Sequence, residues 1–79
     1  MQPEIAIVVT AYNEADRLGE TLAALAAAFP GARVVVADDA STDGTAEVAR
    51  AAGVEVVTAA ERLGKGGVAT RAAERVRGG

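Results

Sequence analysis

Val34-Val35-Val36-Ala37-Asp38-Asp39-Ala40-Ser41-Thr42-Asp43-Gly44-Thr45 decides the fold of this 79-residue chain. Its first four residues form an unbroken apolar run of strand length, rich in β-branched side chains, as in a strand covered on both faces. The run stops abruptly at two adjacent carboxylates. Ser41, Thr42 and Asp43 are each competent to cap a helix, and Thr45, Val48, Ala49 and Ala52 then recur at helical spacing up to Gly53, a residue suited to the position past a helix end. A buried strand that turns through acidic and hydroxyl residues into a helix is one unit of a parallel α/β sheet.

The same unit appears on either side. Upstream, Ile5-Ala6-Ile7-Val8-Val9 is an apolar run too short for a helix. From Asn13 the period turns helical: Ala15, Leu18, Leu22, Leu25 and Phe29 share one stripe, Asn13 can cap it, Glu14 and Asp16 put negative charge in its first turn, and Pro30-Gly31 ends it. Downstream, Val54-Glu55-Val56-Val57 partly alternates, as expected nearer a sheet edge. An irregular stretch from Thr58 to Gly67 leads to a third helix marked by Val68, Ala69, Ala72, Ala73 and Val76, with Arg75 and Arg77 in its last turn. The order β-α-β-α-β-α predicts parallel strands with right-handed crossovers, one half of a doubly wound, Rossmann-like sheet with strand order 3-2-1.

Composition bounds what such a sheet can do. The apolar residues are mostly small, 20 Ala and 11 Val against 4 Leu and 2 Ile, so the core is thin and stand-alone stability marginal. Without Cys or His there is no disulfide framework, no thiolate metal site and no histidine base. A net charge of −3 with one Tyr, one Phe and no Trp argues against a nucleic-acid surface. The longest uncharged stretch, Thr21 to Ala32, contains Pro30 and is too short to span a membrane. The N-terminus carries Glu4 and no basic segment, so it reads as no signal peptide and the chain as cytoplasmic, with membrane association left to any longer protein that contains it.

In a parallel sheet the carboxyl ends of the strands and the loops after them converge on one rim, where ligands of open α/β sheets bind. Three loops meet there: Thr10-Ala11-Tyr12-Asn13-Glu14, the segment from Asp38 to Thr45, and Arg62-Leu63-Gly64-Lys65-Gly66-Gly67. Ordinary turn and cap duties account for much of this, Asn13, Glu14 and the 41–45 segment above all. Asp38-Asp39 is harder to dismiss, since adjacent carboxylates at a strand end need donors or a ligand. Tyr12 offers a flat face to a base or simply covers the sheet end. Gly64-Lys65-Gly66-Gly67 ahead of a helix suits an anion, with backbone N–H groups and the only lysine in the chain. It is not a Walker A loop, because Ala59 stands where the first Gly belongs and Gly66 follows Lys65 in place of Ser or Thr. A dinucleotide is disfavoured too, since no glycine lies between Thr10 and Leu18 in the first turn. Carboxylates and an aromatic at one end with Gly/Lys donors at the other suit a mononucleotide or a nucleotide-diphosphate compound.

Val8-Val9-Thr10-Ala11-Tyr12-Asn13-Glu14, Asp38-Asp39-Ala40-Ser41-Thr42-Asp43-Gly44-Thr45 and Leu63-Gly64-Lys65-Gly66-Gly67 together resemble the N-terminal half of family 2 glycosyltransferases with the GT-A fold. The Gly-Lys-Gly loop is most similar to that of polyprenyl-phosphate sugar transferases and dolichol-phosphate mannose synthase-like enzymes. The resemblance implies that Thr10, Ala11, Tyr12 and Glu14 hold the nucleoside of a UDP- or GDP-sugar, that Asp39 meets its base or ribose with Asp38 and Ser41 shaping the loop, and that Lys65 lies towards its ribose or phosphates. Thr10 departs from the family pattern, which often has Pro there.

In that family a fourth strand follows the third helix and ends in an Asp-x-Asp motif that binds Mg2+ or Mn2+. The chain stops where that strand begins, so residues 1–79 read as a single partial domain that binds the donor, with no catalytic residue, metal ligand or bound cofactor assigned. The fourth strand lies beside the first in that sheet, which leaves the first strand as an open edge and predicts self-association through it or instability. The competing readings are a non-catalytic nucleotide-binding or interaction module and an inert truncated fragment.

Overall fold

The computed structural model describes residues 5–78 as three parallel strands and three helices. Strands β1 (Ala6–Ala11), β2 (Arg33–Asp38) and β3 (Glu55–Thr58) alternate with helices α1 (Ala15–Ala28), α2 (Thr45–Ala51) and α3 (Gly64–Gly78). The sheet order is β1-β2-β3, the order expected from the sequence, with β2 central.

The twofold period of the strands sorts the core into two layers. Val9 and Ala11 of β1, Val34 and Val36 of β2, and Val54 and Val56 point one way, where Leu18 and Leu22 of α1 and Val48 and Ala49 of α2 cover them. Val8, Val35, Ala37 and Val57 point the other way, onto Val68, Ala72 and Val76 of α3, with Ala59 in the same layer. One face thus carries two helices and the other carries one. The continuous Val run of β2 is required because this strand is covered from both sides.

Register makes the strand ends flush. Ala11 pairs with Asp38 and Asp38 with Thr58, and pairing continues one residue further: Asp39 N–H donates to the Ala11 carbonyl at 2.9 Å and Ala59 N–H to that of Asp38 at 3.0 Å. Tyr12, Asp39 and Ala59 therefore leave the sheet at one level. That alignment builds the rim.

Several elements differ in detail from the sequence pattern. β1 runs two residues beyond Val9, and β3 starts at Glu55. The α1 stripe is buried at Leu18 and Leu22, but Phe29 is 46% exposed. The seven-residue α2 is too short to reach it, and the alanines and glycines between do not fill the space. Helix α3 begins at Gly64, four residues before Val68, so the Gly-Lys-Gly-Gly segment forms its first turn and not a loop ahead of it. No helix among the described residues is long and apolar enough to cross a membrane.

Candidate functional site

The rim loops are held by hydrogen bonds between loops far apart in sequence. Asn13, at a left-handed φ of 51°, does not cap its own helix. Its Oδ1 accepts from Thr42 N–H at 2.8 Å, and its N–H donates to Ser41 Oγ at 2.9 Å. The first N–H groups of α1 are satisfied from the second loop: Glu14 N–H donates to Thr45 Oγ1 at 2.9 Å and Ala15 N–H to Asp43 Oδ2 at 3.2 Å. Asp43 also accepts from its neighbour Thr45 through both N–H and hydroxyl, so one carboxylate joins the starts of α1 and α2. The Thr45 hydroxyl, foremost, keeps the Asp43 carboxyl below its ordinary pKa. The local cap expected from Asn13 is thus replaced by Asp43 and Thr45 of the second loop, while Asp43 also takes the first N–H of α2 within its own loop.

The paired carboxylates at the end of β2 divide their duties. Asp38, buried, accepts from the Ser41 hydroxyl beneath the loop. Asp39 is 3% exposed and faces the third loop: Oδ1 accepts from Leu63 N–H at 2.7 Å, and Oδ2 accepts from Gly64 N–H and from Arg62 Nε, both at 3.0 Å. The Leu63 N–H leads in holding the Asp39 carboxyl below its usual range, with Arg62 and Gly64 adding to it against the cost of burial. A carboxylate has about four acceptor positions, and three are taken. The first amide of α3 therefore already has an anion, one built into the chain. Gly64 sits at φ +79°, where a side chain would be strained, and that turn aims its N–H at Asp39.

Arg62 completes the arrangement. Its guanidinium carbon lies 3.5 Å from the centroid of the Tyr12 ring, a close cation–π contact. Asp39, foremost, raises the Arg62 pKa above its ordinary value. Thr10, Ala11, Tyr12, Glu14, Asp39, Arg62, Lys65 and Val68 surround a cleft of about 90 Å3. Lys65 has no ion-pair partner among the described residues.

Of the eight residues singled out in the sequence, Thr10, Ala11, Tyr12, Glu14, Asp39 and Lys65 line this cleft. Asp38 and Ser41 lie behind it, bonded to each other. Sequence reasoning assigned no role to Arg62. The signal that could have found it is the need of the Asp38-Asp39 pair for donors, which a cation of the third loop can meet.

A parallel sheet with a polar cleft over its carboxyl rim, opened by a strand-to-helix turn carrying Asp38-Asp39, defines a Rossmann-like α/β half-sheet. Residues 6–79 match the sequence model of the glycosyl transferase family 2, and the chain belongs to that family. It is similar to the succinoglycan biosynthesis protein ExoU of Rhizobium meliloti (strain 1021), at 45% identity over 49 residues. That match covers 62% of this chain and 14% of the relative. No solved structure gives a significant match.

Proposed function

We propose that the rim cleft binds the nucleoside end of a nucleotide-diphosphate sugar, a UDP- or GDP-sugar, and that the chain is the donor-binding part of a glycosyltransferase. The observation that carries this reading is the convergence of Tyr12 and Asp39, from two loops, and Lys65, from the first turn of α3, on one cleft in a chain of this family. Tyr12 supplies a platform for a base, and Thr10, Ala11 and Glu14 form the wall beside it. Asp39 offers its remaining acceptor position, on Oδ1, to base or ribose. Asp38 and Ser41 hold the loop that carries Asp39 in place. Lys65, in the first turn of α3, adds positive charge for the diphosphate, with the helix dipole acting in the same sense.

The donor set does not fit a divalent metal. Asp38 is engaged by Ser41 and Asp39 by three donors, and no group of three His, Cys, Asp or Glu side chains converges among the described residues.

Calorimetric titration of the full chain with UDP, GDP and their sugars tests the reading. Loss of one base–aromatic stack by Tyr12→Ala should weaken binding about 5- to 150-fold. A folded chain that binds none of these ligands would overturn it.

A further inference from the structure

Arg62 makes two contacts at once: its guanidinium covers the Tyr12 ring at 3.5 Å from the centroid, and its Nε donates to Asp39 Oδ2 at 3.0 Å. In the nucleotide-sugar reading these are the two groups that meet the base, a π face and an acceptor. A guanidinium imitates the edge of a nucleobase here, being planar, delocalised and furnished with in-plane N–H donors. One ring face accepts one plane. We propose that Arg62 is a displaceable plug of the nucleoside pocket, which occupies the place of the base on Tyr12 and is exchanged for it when a nucleotide enters. This inference rests on the nucleotide-sugar reading above.

Three features of the site support it. The cleft holds about 90 Å3, against roughly 300 Å3 or more for a pocket that encloses a ligand of nucleotide size. The space must grow, and Arg62 is the wall able to leave: its side chain is 54% exposed, whereas that of its partner Asp39 is 5% exposed. Departure of the guanidinium also leaves the loop in place, because the Leu63 and Gly64 N–H groups keep their own bonds to Asp39. Exchange therefore requires side-chain rotation only, and it opens the Tyr12 face and an acceptor position on Oδ2 together.

Tyr12 is the single tyrosine of a chain without tryptophan, so its fluorescence and ring resonances report on this site alone. In the ligand-free full chain, the side-chain NMR signals of Arg62 should be shifted by the Tyr12 ring current. Titration with UDP or GDP should return them to ordinary positions as tyrosine emission is quenched. By calorimetry R62A should bind the same nucleotide about two- to fivefold more tightly, the size of an exposed cation–π contact. R62Q serves where R62A fails to fold, and the wild-type spectra need neither.

Equal or weaker binding by these variants, with the wild type binding, would overturn the plug and leave the nucleotide reading standing. So would Arg62 signals that are unshifted in the free protein or unmoved at saturation. Absence of binding by the wild type and every folded variant would sink the nucleotide reading, and the plug with it.

Discussion

At the amino end of the sheet, a groove of about 540 Å3 opens beneath α1, walled by Gly19, Ala23, Ala26, Phe29, Gly53 and Val54 among others. At the carboxyl end, a cleft of about 90 Å3 is bounded by two carboxylates, two cations and an aromatic ring. The larger space arises because small side chains and a short α2 leave volume unfilled. The smaller arises because three loops place polar groups against one another and bond them across the gap. Volume at one end and convergent chemistry at the other have different causes. The second marks a candidate site, because Tyr12, Asp39 and Arg62 come from three loops and hold one another in place.

The largest expected effect comes from enlarging the amino-end groove. Leu22 is buried in the α1 layer and lines that groove, so Leu22→Ala should cost about 3 kcal/mol of stability in urea denaturation. Nucleotide affinity of the folded fraction should be unchanged. A parallel loss of affinity would show the two ends to be coupled and would break the comparison.

Glycine replacements in the first turn of α3 sharpen it. A Cβ on Gly66 meets nothing within 4 Å, and Gly66→Ala should raise stability by up to about 1 kcal/mol through helix propensity. A Cβ on Gly67 would lie 2.9 Å from the Leu63 Cβ, pressing on the residue whose N–H Asp39 holds. Gly67→Ala should therefore gain less or lose, and weaken nucleotide binding. Equal melting temperatures for the two variants would mean that the Leu63 turn is not fixed by Asp39.

Titration separates the ends least. The pKa values of Asp39 and Asp43 at the rim, and of Glu55 at the amino end beside Arg33, are all lowered in the folded chain. A lowered folded pKa means that the unfolded chain binds more protons, so stability rises with pH through that range. Their contributions are complete above the ordinary carboxylate range of about 4, and are lost as pH falls below it. Denaturation midpoints should be flat from about pH 5 to 8 and decline below about pH 4. A decline beginning near neutrality would require a different group.

Much of the fold is legible in the sequence because the strands are β-branched runs and the helices have clean apolar spacing. β2 and the Leu18–Leu22 stripe are the clearest cases, where local pattern and tertiary burial agree. What local pattern misses is long-range capping. Asn13 has the composition of a self-contained cap, yet the first N–H groups of α1 go to Asp43 and Thr45, 28 and 31 residues away, while Asn13 braces the second loop. The start of α3 is masked for a related reason: glycines at 64, 66 and 67 argue against helix by propensity, and a carboxylate from another loop overrides them by binding the first amides. Arg62 stayed unread because its partners, Tyr12 and Asp39, are remote in sequence.

β2 also fastens α3 at both ends. Asp39, just past the strand, grips the first turn, while Arg33, its first residue, pairs with Glu55 at 2.9 Å and reaches the Val76 carbonyl at 3.4 Å. Arg75, in the same last turn of α3, adds its charge near Glu55. A strand of six residues spans about 20 Å and a helix of fifteen about 22 Å. The helix is thus a strut cut to the length of the strand it lies on. One residue added within it would turn its far end by about 100° and move it 1.5 Å along the axis. The strut could then be seated at the rim or at the amino end, but not at both, so in this molecule the length of α3 is itself a dimension of the rim cleft.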